Sequence, residues 1–270
     1  MPVLTQGTLH IDHSDDGAGP PVVLIHSSVS GNRQWRSLVE ALRERHRVLA
    51  INLFGYGETT PWPAPARQTL YAQAQLVLAL CESLAGPVQL VGHSFGGSVA
   101  MKAALLMGTR VSRMVLLEPN PFHLLRQAGR TQAYDEARAL RDHVQCWGAL
   151  GDWPAVAQRF AEYWLGDGAW EAMPQRRRES FAAALPPNQH EWDAVMGEET
   201  PLEAWCATDA RTLAVSAHAT RRPIRELAEL LAAACPHWAF RSIAEGGHMA
   251  PLTHPQLIDP IVREFLDAGG

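Results

Sequence analysis

A mostly parallel, doubly wound α/β sheet interrupted by a helical cap is the fold class that this 270-residue sequence predicts. Three observations lead there. Short apolar runs rich in β-branched residues alternate with segments whose apolar residues recur at helical spacing, as in strands buried on both faces by helices. One such run, Val88–Val91, leads into Gly92-His93-Ser94-Phe95-Gly96-Gly97, a sharp turn before a helix former. Between residues 121 and 206 the alternation stops, β-branched runs become scarce, and six of the nine tryptophans gather there. That break divides the chain into a core of residues 1–120 and 207–270 and an inserted cap of residues 121–206.

In order, Val3–Ser14 is expected as one or two strands, closed by a turn over Asp15–Pro20. Val22–Ile25 is a short buried strand ending at His26-Ser27-Ser28, and a helix beginning near Asn32 or Arg33 carries Trp35, Leu38, Val39 and Leu42. Arg47–Leu53 is the next strand, followed by the Phe54-Gly55-Tyr56-Gly57 loop and proline-rich Pro61–Pro65. Leu70, Ala74, Val77 and Leu80 or Cys81 predict an amphipathic helix over Thr69–Leu84. Strands at Arg110–Leu117 and Arg211–Ala217, a helix over Ile224–Ala234, a last strand at Trp238–Ile243 and a terminal helix over Pro255–Ala268 complete the reading. An insertion between such strands falls over their carboxyl ends, where open α/β sheets bind ligands.

Composition narrows the partners. A net charge of −5 supplies no basic footprint for nucleic acid. The opening residues lack a basic and then apolar leader, and no apolar run reaches membrane-spanning length, so the expectation is a cytoplasmic protein without membrane attachment. Cys81, Cys146, Cys206 and Cys235 are far apart, without CxxC spacing, and are expected as reduced, mostly packed thiols. The histidines form no convincing metal set, and His10 with His13 is expected at a polar strand end, so neither metal nor cofactor is expected. A small molecule is the expected partner, and the oligomeric state is left open.

Gly92-x-Ser94-x-Gly96 is the pattern of a nucleophile elbow. A serine thrust out at a tight strand-to-helix turn sits at strained backbone angles, and side chains two positions away on either side would collide. The plain alternative is a glycine-rich turn that holds a serine, but the apolar strand before it and the helix former Ser98–Met107 after it supply the context the motif requires. Ser94 needs a base to take its proton. His248, in the glycine-flexible loop Glu245-Gly246-Gly247-His248-Met249, is the candidate, with His254 at a helix start as its competitor.

Together, the strand ending at His26, the Phe54–Gly57 loop, Gly92–Gly97 and Gly246–Met249 resemble the α/β-hydrolase fold superfamily, in particular its small capped esterase-like members, over nearly the whole chain. The resemblance implies an oxyanion hole made by the backbone N–H of Phe95 and a second N–H from the loop after His26. Ser27 departs from the family's glycine, so the second donor is Ser28, with Ser27 as the nearby alternative. Similar enzymes carry an aspartate after the strand here read as Arg211–Ala217, but His218–Arg222 contains no carboxylate. A subset takes its acid from the preceding strand end, which is Glu118; the rival role for Glu118 is to brace the first turn of the cap. Asp209 precedes its strand and Glu226 lies within a helix.

The resemblance therefore implies a cofactor-independent serine hydrolase, carboxylesterase-like, acting on an ester or thioester of a small, largely apolar substrate. A hydrolase of carbon–carbon bonds with the same elbow, and a non-catalytic small-molecule binder on this scaffold, are the alternatives. The cap tryptophans suit either packed core or an apolar pocket wall. Arg176–Arg178 reads as a solvated helix face, with the grip on an anionic substrate group as its alternative.

Overall fold

A computed structural model of the chain describes residues 3–6, 9–63 and 65–268. Gly7 and Thr8 of the expected N-terminal strand region, Ala64 of the proline-rich loop, and the chain-end residues assigned to the core lie outside them. The strands are β1 (Val3–Gln6), β2 (Leu9–Gly17), β3 (Pro21–Ile25), β4 (Arg47–Ile51), β5 (Val88–His93), β6 (Val111–Leu117), β7 (Arg211–Ala217) and β8 (Ala239–Ile243). They form one sheet in the order β1-β2-β4-β3-β5-β6-β7-β8, with β2 antiparallel to both β1 and β4 and the remaining pairs parallel. The chain winds outward from β3 to β4, returns across β3 to β5 and proceeds the other way. The switch point therefore lies between β3 and β5, where the two loops diverge and leave a crevice.

Helices α1 (Arg36–Leu42), α2 (Leu70–Glu82) and α3 (Phe95–Met107) connect the first strands. Between β6 and β7 lie α4 (His123–Gln127), α5 (Thr131–Ala149), α6 (Trp153–Leu165), α7 (Ala169–Ala172), α8 (Gln175–Ala183), α9 (Asn188–Met196) and α10 (Leu202–Cys206). After β7 come α11 (Arg222–Ala234), α12 (Ala250–Thr253) and α13 (Pro255–Asp267). Alternate strand residues feed two cores, as the two-residue period of a strand requires. Val22, Leu24, Val48 and Ala50 meet α1 and α13 on one face. Val23, Ile25, Leu49 and Ile51 meet α2, α3 and α11 on the other. Thr69 caps α2 by accepting the Ala72 N–H.

Two expectations are corrected. The turn expected over Asp15–Pro20 starts later, because β2 continues to Gly17 and pairs Asp15 and Asp16 with Leu49 and Val48. The Arg47 guanidinium grips both oxygens of Asp15, at 2.9 and 2.6 Å, so a turn-forming residue is kept in the strand. The four cysteines are not all reduced thiols: Cys206 and Cys235 form a disulfide with a Cα–Cα distance of 5.2 Å. Packing of α10 against α11 brings together residues 29 positions apart, which no local spacing reveals. Of the free pair, Cys81 is buried and its thiol is pushed up to about 12 by that burial, whereas Cys146 is exposed rather than packed. The pairing removes the argument that led from the cysteines to a reducing compartment. Among the described residues no helix is long and apolar enough to cross a membrane.

His26 ties the carboxyl ends of β3 and β4 together. It is fully buried, donates from Nδ1 to the Ser27 carbonyl at 2.7 Å and accepts the Leu53 N–H at Nε2, 3.1 Å away. Those two bonds require one neutral tautomer, and burial lowers its pKa from 6.5 to about 4. Between these values the unfolded chain holds a proton that the folded protein refuses, so stability falls as pH drops through this window. The full shift corresponds to about 3 kcal/mol. Urea unfolding followed at several pH values is expected to show this decline, with a shallower slope for His26→Gln. A second expectation concerns Gly96, where a Cβ would run into the Ile25 and His26 carbonyls. Gly96→Ala is expected to lower unfolding stability by about 2 kcal/mol or more in the same assay.

Candidate active site

The elbow forms where β5 passes into α3. Ser94 has φ 53° and ψ −116°, an uncommon conformation for a residue with a side chain. It is held there by its N–H, which donates to the Leu117 carbonyl of β6 at 2.9 Å. The glycines make that geometry possible in separate ways. A Cβ on Gly92 would strike the Gly96 carbonyl, Gly96 faces the end of β3, and Gly97 packs against Pro119. Ser94, Glu118 and Val29 are the three non-glycine residues with positive φ among those described, and all three cluster here.

His248 sits in a 3-10 turn, Gly247–Met249, whose approach uses Gly246 at φ 91° and Gly247 at φ 57°. Its Nε2 lies 2.9 Å from Ser94 Oγ and its Nδ1 lies 2.8 Å from Glu118 Oε2. All three side chains are buried. With Nδ1–H donating to the carboxylate, Nε2 is left to accept the serine hydroxyl proton. Glu118 also accepts the Ala217 N–H at 2.7 Å on Oε1 and the Thr220 hydroxyl at 2.8 Å on Oε2. Thus the end of β7 has no acid of its own but supplies two donors to the acid of its neighbour. The bracing of the first cap turn considered for Glu118 is not among these bonds. His254 instead meets the hydroxyl of Thr253 at 2.8 Å, and Glu226 faces Arg130 across 4.0 Å.

The loop after β3 is tied from two sides. Gln34 Oε1 accepts the Ser27 N–H at 3.0 Å and the Ser27 hydroxyl at 2.8 Å. Gln34 Nε2 donates to His93 Nδ1 at 3.1 Å, and His93 Nε2 donates to the His248 carbonyl at 2.8 Å. Burial first, and then the neighbouring His248, lower the His93 pKa well below its usual value, which keeps this relay of donors neutral. On the other side the Val29 N–H donates to the Tyr56 hydroxyl at 2.9 Å, which donates to Glu191 of α9 at 2.9 Å. Ser27, the alternative backbone donor, is therefore already engaged. The N–H groups of Ser28 and Phe95 have no hydrogen-bond partner among the described residues, and both residues line one cavity with Ser94.

That cavity, within about 410 Å³ of empty space that opens to solvent, is lined on one side by Ser27, Ser28, Ser94, Phe95, Asn120, His248 and Met249. Residues of α6 and α9 close the other side, with Phe160, Trp164, Asn188, Glu191, Trp192 and Val195. The Trp164 ring stacks on the His248 imidazole, 4.1 Å between centroids. The tryptophans take both expected fates and a third, solvent exposure. Trp164 and Trp192 line the cavity, Trp205 is core, and Trp147 is exposed. Arg176 and Arg177 are exposed, while Arg178 donates to the Met173 and Glu171 carbonyls, and none of the three lines the cavity. Sequence reasoning missed Gln34, His93, Thr220 and Glu191. The His93 position inside the elbow motif was the one local signal available.

The chain matches the alpha/beta hydrolase family over residues 22–259. The lipase LipV of Mycobacterium tuberculosis is 31% identical over 189 residues, 68% of this chain and 66% of the lipase, so the match spans about two thirds of that relative. The 2-hydroxymuconate semialdehyde hydrolase of a Pseudomonas species is 26% identical over 268 residues, 93% of this chain and 88% of that one. Among solved structures, the esterase EaEST from Exiguobacterium antarcticum superposes with a TM-score of 0.77 at 20% identity, covering 96% of each chain, a likeness of fold. With a family match running from β3 into α13 over this sheet and elbow, the chain belongs to the alpha/beta hydrolase family.

Proposed function

We propose that this protein is a serine hydrolase that cleaves an ester, or thioester, of a small substrate through an acyl-enzyme on Ser94. The observation that carries this reading is the unbroken line from Ser94 Oγ to His248 to Glu118, opening on a cavity with two unpartnered N–H groups. His248 Nε2 takes the hydroxyl proton as Ser94 Oγ attacks the carbonyl, and the imidazolium that forms is steadied by Glu118. The N–H groups of Phe95 and Ser28 hold the developing oxyanion, the Phe95 donor reinforced by its place at the start of α3. His248 then returns its proton to the leaving group, and water, deprotonated by the same histidine, releases the acid. Helices α4–α10 act as the cap, and Trp164 shields His248 from bulk water.

Similarity to LipV supports ester chemistry. Similarity to a hydrolase whose named substrate, a muconate semialdehyde, contains no ester supports a second reading, carbon–carbon bond hydrolysis with the same serine. Turnover of simple aryl esters of graded acyl length separates the two.

A fluorophosphonate probe is expected to label the protein at Ser94, and Ser94→Ala to abolish both labelling and ester turnover, a loss on the order of 10⁵-fold or more in kcat. Absence of labelling in the unmodified protein would leave only the binding-protein reading. Glu118→Gln is expected to cut kcat on an aryl ester by roughly 10⁴-fold, because the amide no longer fixes the imidazole tautomer. Undiminished turnover by that variant removes Glu118 from the relay.

A further inference from the structure

The cavity at Ser94 contains a carboxylate that the proposed reaction does not use. Glu191 is 1% exposed and lines the same cavity as Ser94 and His248. Two side chains hydrogen-bond its two oxygens. The Trp192 indole N–H donates to Asn188 Oδ1 at 3.0 Å, so the other end of that amide, Nδ2, donates to Glu191 Oε2 at 2.9 Å. The Tyr56 hydroxyl, whose oxygen accepts the Val29 N–H, donates to Glu191 Oε1 at 2.9 Å. The Ser28 hydroxyl is the third neighbour of the carboxylate. Burial raises the Glu191 pKa, and the donors around the carboxylate oppose that rise by favouring the ionised form.

No lysine or arginine lines this cavity among the described residues. A carboxylate offers about four lone-pair directions, and the bonds from Asn188 and Tyr56 leave room for a ligand. Phe160, Trp164 and Trp192 supply aromatic faces to the same space, and such faces attract cations. A negative charge without a cationic partner repels a second one strongly in a site of low dielectric.

We infer that the cavity selects substrates by charge, accepting an ester that bears a small ammonium group seated against Glu191 and the aromatic walls, and rejecting the same ester bearing a carboxylate. The ester arm of this inference depends on the hydrolase reading of Ser94; the binding arm does not. Glu191 also holds Tyr56, so a purely structural role would change turnover of all esters alike, whereas charge selection changes their ratio.

The test uses acetylcholine, its neutral isostere with a tert-butyl group in place of trimethylammonium, and an analogue with a carboxylate there. Expected is a kcat/KM for acetylcholine at least about tenfold above that of the neutral ester, with the carboxylate ester lowest. In Glu191→Gln the first ratio is expected to fall toward one. Binding of choline against its tert-butyl isostere, followed by tryptophan fluorescence, is expected to show the same preference without any hydrolysis. If no ester is turned over and Ser94 resists the fluorophosphonate, the hydrolase reading fails while the choline measurement still decides the charge selection. Equal or weaker binding of choline than of its isostere by the unmodified protein overturns the inference, whether or not the variant folds.

Discussion

The backbone of Ser94 is the constraint on which the rest of the site depends. A side-chain-bearing residue at φ 53° is held in place only because its surroundings over-determine it. Its N–H is bonded to β6, Gly92 lets the start of α3 lie against the end of β5, and Gly96 lets the same helix turn touch β3. The strain places Oγ at the switch point of the sheet and leaves the Phe95 N–H without an internal partner. A relaxed turn would bury the hydroxyl or engage that donor.

From this fixed point the hydrogen bonds run outward with a defined polarity. One line passes from the Ser27 N–H through Gln34 and His93 to the His248 carbonyl, joining the loop after β3 to the histidine loop behind the nucleophile. The other passes from the Val29 N–H through Tyr56 to Glu191 on the opposite side. Between the two, Ser28 retains an unengaged N–H. The serine that replaces the family's glycine at position 27 is accommodated because Gln34 and Ser30 take up its hydroxyl. Both lines consist of buried or partly buried groups with satisfied partners, an arrangement that is rigid when complete and costly when interrupted.

Glu118 illustrates how the same constellation can be assembled from a different strand. Its N–H bonds to the Val215 carbonyl, so β6 and β7 remain paired up to the point where the carboxylate leaves the sheet. Ala217 and Thr220 then aim that carboxylate at the imidazole. An acid at the end of β7 and one at the end of β6 can reach the same nitrogen because adjacent parallel strands lie only about 4.8 Å apart.

Sequence by itself determined the features whose physical signal is local. The two-residue and helical periodicities gave away the alternating strands and helices, the glycine spacing around Ser94 announced the elbow, and Gly246-Gly247 marked His248 as a loop histidine free to be aimed. The place of Glu118 beside the imidazole was legible too, because it directly follows a strand and β7 offers no competing carboxylate. Tertiary structure alone decided the remainder. That Cys206 meets Cys235, that Asp15 stays in β2, that Trp164 covers His248 while Trp205 is core, and that Glu191 lines the cavity of Ser94 depend on how distant segments pack. The reason is physical: periodicity and turn chemistry act over a few residues, whereas the partners of Glu118 at Ala217 and of Tyr56 at Glu191 are separated by 99 and 135 positions. Only the closing of the helices over the sheet sets those distances.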